Sequence, residues 1–166
     1  QIDLSLIFFF SESWPDAERA ARRALQLSPI GTGYHAILAW SLIAQQRYGE
    51  AEAELALERS EIERLNGRGL LALARGQRTL AQEQLANLEE LARSEPDKAD
   101  LQQSIAWLCA GLGEIDRAFA ALDRARASRD PSVAWSRTMW PLRPLYADSR
   151  WGEFLGQIGL VDDLLK

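Results

Sequence analysis

The residues able to do chemistry in this chain are few and scattered. His35 is the only histidine and Cys109 the only cysteine. A metal site or a catalytic triad needs partners for such residues, and neither has one spaced near it in sequence. His35 reads as an exposed or partner-facing residue. Cys109 lies beside Leu108 and Ala110 on an apolar stripe with no basic neighbour to lower its pKa, so it reads as a packed thiol. Gly67-Arg68-Gly69 has the composition of a phosphate loop, but it follows no strand and sits inside a helical pattern. Gly69 is better explained as a small residue at a helix crossing. Glu50, Glu52, Glu54, Glu58, Glu61 and Glu63 point in too many directions around a helix to cage one ion, and they read as a solvated face. Asp162-Asp163 and the Arg19, Arg22, Arg23 cluster are equally nonspecific. With no nucleophile–base pair, metal cluster or phosphate cradle, the chain is expected to be non-enzymatic and to need no cofactor.

Composition narrows the partners. The formal net charge is −5, whereas binding to a phosphate backbone calls for a basic surface, so nucleic acid is not expected as a partner of this segment. One cysteine cannot form an internal disulfide. No apolar run approaches the ~18 residues of a membrane span. The apolar stretch from Leu4 to Phe10 is short and lacks the basic flank of a signal peptide. A soluble protein is expected, cytoplasmic by preference, with the periplasm as the alternative. The chain opens on Gln1 inside a helical pattern, which reads as a piece of a longer protein.

Hydrophobic periodicity supplies the elements. Residues 1–12 read as a helix with Leu4, Ile7 and Phe8 on one face. Ser13-Trp14-Pro15-Asp16 restarts the chain, with Ser13 as cap and Pro15 in the first turn. Ala17, Ala21 and Ala24 line the helix that follows, and Ser28-Pro29 ends it. The stretch from Gly33 to Ser60 holds two helical patterns broken at Gln46-Arg47. Leu38, Leu42 and Ile43 serve the first, and Tyr48, Ala51 and Leu55 the second. A third pair carries Leu65, Gly69 and Ala72, turns at Gly76, and continues through Ala81, Leu85 and Leu88 to about Ser94. A fourth pair carries Leu101, Ile105, Leu108 and Leu112, turns at Gly113, and returns through Ala118, Phe119, Leu122 and Ala125. Pro141 and Pro144 then disturb the rhythm. Asp148 reads as the cap of a last helix, whose Trp151, Phe154, Leu155 and Ile158 form a stripe that should cover an exposed end.

Trp14/Ala17, Tyr48/Ala51, Arg78/Ala81 and Ile115/Ala118 mark a unit recurring about every 34 residues. Ala39, Gly69 and Ala106 are its small residues in first helices. Gly76 and Gly113 hold the turns, and Pro29 closes the first unit. The pattern resembles the tetratricopeptide repeat. That resemblance implies an all-α, right-handed solenoid of about four helical hairpins over residues 1–131, in copies of about 1–31, 32–61, 62–97 and 98–131. Residues 132–166 would form a capping segment. The tail, with Arg129-Asp130-Pro131, Pro144 to Trp151 and Gly159-Leu160, resembles the end of the repeat region in bacterial multidomain regulators. Those proteins carry a winged-helix or adenylate-cyclase domain ahead of their repeats.

In such repeats the first helix of each pair lines a concave groove. The resemblance places Leu6, Phe9, Phe10, Trp40, Ile43, Asn66, Leu70, Leu73, Gln103 and Trp107 on that wall. The implied function is a protein–protein interaction module whose apolar groove takes a peptide or a neighbouring domain. One alternative is a ligand-responsive sensory domain of a regulator. Another is self-association, for instance as a homodimer, through the apolar edge Ile7 to Phe10.

Overall fold

The computed structural model describes residues 13–96, 98 and 100–160. The helix expected over residues 1–12, and with it Leu6, Phe9, Phe10 and the apolar N-terminal edge, lies outside the described residues. So does Asp162-Asp163. The described chain is all-α, with eight α-helices and two 3₁₀ segments and no strand among those residues. Its contacts gather into two units, residues 1–87 and 88–166.

The first unit holds α1 (Trp14–Leu27), α2 (Tyr34–Ala44), α3 (Tyr48–Leu57), α4 (Glu61–Ala74) and the first part of α5 (Arg78–Ser94). α2 packs on α1, on α3 and on α4, and α3 also packs on α4. Small residues permit these approaches. Ala17, Ala21, Ala39, Ala51 and Ala81 are completely buried. Gly67 marks one close approach, and Gly69 is buried on the same helix. A Cβ on Gly67 would fall 2.2 Å from Cδ2 of Leu55, which is itself buried.

The second unit holds the rest of α5, α6 (Leu101–Gly111), α7 (Ile115–Ala127), 3₁₀ segments at Pro131–Thr138 and Trp140–Leu145, and α8 (Arg150–Gln157). α6 packs on α7 and on the second 3₁₀ segment, and α7 meets the first. The prolines of the tail favour this short, tight geometry over another long helix.

Three helix–helix turns share one geometry. The amide of Arg47 donates to the carbonyl of Leu42 (2.9 Å), that of Gln77 to Ala72 (2.8 Å) and that of Glu114 to Cys109 (2.8 Å). The residue before each donor is left-handed: Gln46 at φ 61°, Gly76 at 71° and Gly113 at 77°. This is the Schellman ending, which satisfies the last carbonyls of a helix and reverses the chain. Glycine adopts it without a Cβ penalty, whereas Gln46 bears one.

Two expected caps differ in detail. Ser13 accepts no capping bond, and its hydroxyl instead donates to the Asp16 carboxylate. Asp148 accepts from the amide of Arg150 (3.0 Å), so its side chain does close the start of α8.

Candidate partner-binding surface

The wall residues occupy matching places relative to the three turns. Trp40, Leu70 and Trp107 stand at one offset before the left-handed residue, and Ile43, Leu73 and Ala110 at another. Asn66 and Gln103 share a third, where α2 has Ala36. In the folded chain nearly all of these side chains are core. Trp40 is 6% exposed and Trp107 7%, and Ile43, Asn66, Leu70 and Gln103 are buried as well. Leu73 alone of the described set is half-buried. In the second unit the tail accounts for part of the cover. Nε2 of Gln103 donates to Oγ of buried Ser136 (3.2 Å), and Leu142 and Leu145 of the second 3₁₀ segment are fully buried.

Asn66 Oδ1 and Gln103 Oε1 are buried without a hydrogen bond among the described residues. Both sit at the same repeat position. An unpaired buried carbonyl oxygen costs on the order of 1–3 kcal/mol.

Buried acids are a feature that sequence reasoning misassigned at Glu58 and passed over at Glu18. Glu58 was expected on a solvated face, yet it is 3% exposed. Its carboxylate accepts from the amides of Gly33 and Ala36 (3.1 Å each) and of Ser60 (2.8 Å). It thus caps the start of α2 from the end of α3. A helix start offers orphan N–H groups and a positive dipole end, which suits a carboxylate. Asp130 does the same in the second unit, accepting from the amides of Asp100 and Ser132 (2.9 Å each).

Glu18 on α1 is also buried. It accepts from Arg22, from Gln45 (2.8 Å) and from Arg47 (2.7 Å), and Arg47 continues to Glu50 (2.6 Å). Burial pushes the Glu18 carboxyl upward, but the hydrogen bonds of Gln45 and Arg47 and the charges of Arg22 and Arg47 outweigh it and hold it below the usual range. The Arg19–Arg23 cluster is therefore not a bare basic patch, because Arg19 pairs with Asp16 and Arg22 with Glu18.

The two chemically interesting side chains are engaged or enclosed. His35 is neither exposed nor alone, since its Nδ1 lies 2.7 Å from Oε2 of Glu54 on α3. Cys109 is fully buried, and burial pushes its thiol up to about 11, far from a thiolate at neutral pH. Among the described residues no three His, Cys, Asp or Glu side chains gather as a metal site. No described helix is long and apolar enough to cross a membrane.

The terminal stripe buries Trp151, Phe154 and Leu155, while Ile158 is half-buried. Arg150 joins α8 to α7. Its guanidinium lies 4.4 Å above the Phe119 ring and 2.8 Å from Asp116, and it also bonds Asp148 (2.7 Å). The side-chain and backbone bonds from Arg150 draw the Asp148 carboxyl down to about 2. No family model, curated protein or solved structure matches the chain.

Proposed function

We propose that this chain is a non-enzymatic protein–protein interaction module. It is built from tetratricopeptide-like hairpins stacked as a right-handed solenoid and serves a larger bacterial regulator. The observation that carries this reading is the recurrence of one hairpin plan. The same left-handed turn and the same small and large positions return in α2–α3, α4–α5 and α6–α7. Stacked hairpins of this kind expose long surfaces and recognise partners by shape. The partner is a peptide or a neighbouring domain of the same polypeptide. Because Trp40 and Trp107 serve the core, the accessible point of the wall is Leu73, and the partner meets the wall there.

A photo-crosslinking amino acid at position 73, in the full-length protein in its cells, tests this directly. A specific adduct from position 73, absent from a control at exposed Arg93, supports the reading. Equal labelling from both positions, or none from 73, removes the wall as a binding surface.

A further inference from the structure

The first unit holds a second recognition surface, away from the wall residues. α3, α4 and α5 enclose a cleft of about 500 Å³. That volume lies within the ~300–1,000 Å³ range of sites that hold small ligands or a few residues of peptide. Its floor is aliphatic, with Leu55 and Leu71 buried beneath it and Leu80 exposed at its edge.

Two polar groups in the cleft have no hydrogen-bond or ion-pair partner among the described residues. Gln84 is only 6% exposed, yet its carboxamide makes no hydrogen bond among the described residues. Arg68 is exposed and forms no ion pair among them. The neighbouring Arg75 is already engaged, bonded to Glu52 (2.9 Å) and lying over the Tyr48 ring at 6.0 Å. Glu83 lines the cleft from α5, so the α4 rim is basic and the α5 rim acidic.

We propose that this cleft binds an extended peptide segment in which an aliphatic side chain is followed by an acidic one. The Gln84 carboxamide, which reaches the cleft surface with no partner among the described residues, offers one donor group and one acceptor, the complement of a peptide unit. The aliphatic side chain fills the floor over Leu55 and Leu71. The carboxylate pairs with Arg68, and Glu83 sets the polarity by repelling it from the opposite rim. The site holds or fails independently of the inner wall.

The test is an NMR titration of the 166-residue chain with acetyl-Ala-Leu-Glu-Ala-amide, blocked at both ends. The glutamine version, acetyl-Ala-Leu-Gln-Ala-amide, is the comparison. Saturable shifts are expected at the Gln84 side-chain amide and at the Leu55, Leu71 and Leu80 methyls. Arg68→Gln should weaken the Glu peptide about tenfold, as a charge-assisted bond implies, and leave the Gln peptide unchanged. Gln84→Met should weaken both. Absence of shifts at these groups up to the solubility limit overturns the proposal. So does equal affinity for the two peptides, or an unchanged affinity in Arg68→Gln. Shifts centred on Leu73 instead would move the peptide to the wall and also overturn it.

Discussion

Two hairpins, α2–α3 in one unit and α6–α7 in the other, solve the same problem with different residues. Each first helix starts from a left-handed residue, Gly33 at φ 86° and Asp100 at φ 65°. Each carries a nearly buried tryptophan at the same offset before its turn. Each open end is tied shut by a buried acid that binds the amide of that left-handed residue. The acids, however, are not in register. Glu58 directly follows α3, while Asp130 lies beyond the end of α7 and its own left-handed Arg129. The helices and turns recur because close packing demands small and large residues at set intervals. The tie needs only a carboxylate within reach of the helix start, so its place along the chain is free to drift.

The comparison breaks most sharply at the tryptophans. Trp40→Ala and Trp107→Ala should each cost roughly 3–5 kcal/mol in urea denaturation, since both remove a large core side chain. A cost below about 1 kcal/mol for one alone would show that the two positions are not equivalent.

The ties come next. Glu58→Ala should destabilise by roughly 3 kcal/mol and Asp130→Ala by about 2, because each leaves buried amides unpaired and Glu58 serves more of them. Equal, negligible losses would mean that water replaces both carboxylates.

The turns sharpen the parallel. Gln46→Gly should stabilise by about 1 kcal/mol by relieving the left-handed backbone, and Gly113→Gln should cost a similar amount. Thermal melting of the pair reads both, and shifts of the same sign would refute the shared geometry.

The smallest effects are in pH, and here the units should diverge. Glu18 sits below its usual range in the folded state, so its stabilisation is present at neutral pH. It is lost as pH falls through and below the ordinary glutamate range. Asp100 is exposed as a residue, yet its carboxyl is shifted the other way, by partial loss of surrounding water and by the neighbouring Asp130 charge. Its charged form opposes folding near neutrality, and that penalty is relieved as pH falls toward the ordinary aspartate range. Asp148 loses its contribution only lower, as pH drops toward its value of about 2. Residue-resolved hydrogen exchange from neutral pH to about 4 should show protection falling around Gln45 and Arg47 before it falls around Asp100. The reverse order would contradict these assignments.

Much of the hairpin plan was legible beforehand. Gly76 and Gly113 announced two turns through the one residue that enters the left-handed region freely, and the break at Gln46-Arg47 showed in the apolar periodicity. Ala17, Ala51, Ala81 and Ala118 marked close contacts and are all fully buried. The candidate wall was readable as a set of repeat positions, but its degree of exposure was not. Trp40 has the same sequence neighbours whether it faces a groove or a helix.

Local sequence thus determined that the chain is helical, where its turns fall and which faces are apolar, because propensity and periodicity act over a few residues. Tertiary structure alone decided which polar groups are enclosed. Glu58 gains its role from amides that lie 22 and 25 residues earlier, and Glu18 from an arginine 29 residues later. A carboxylate is buried only when distant donors converge on it to replace water, and no local pattern encodes that convergence.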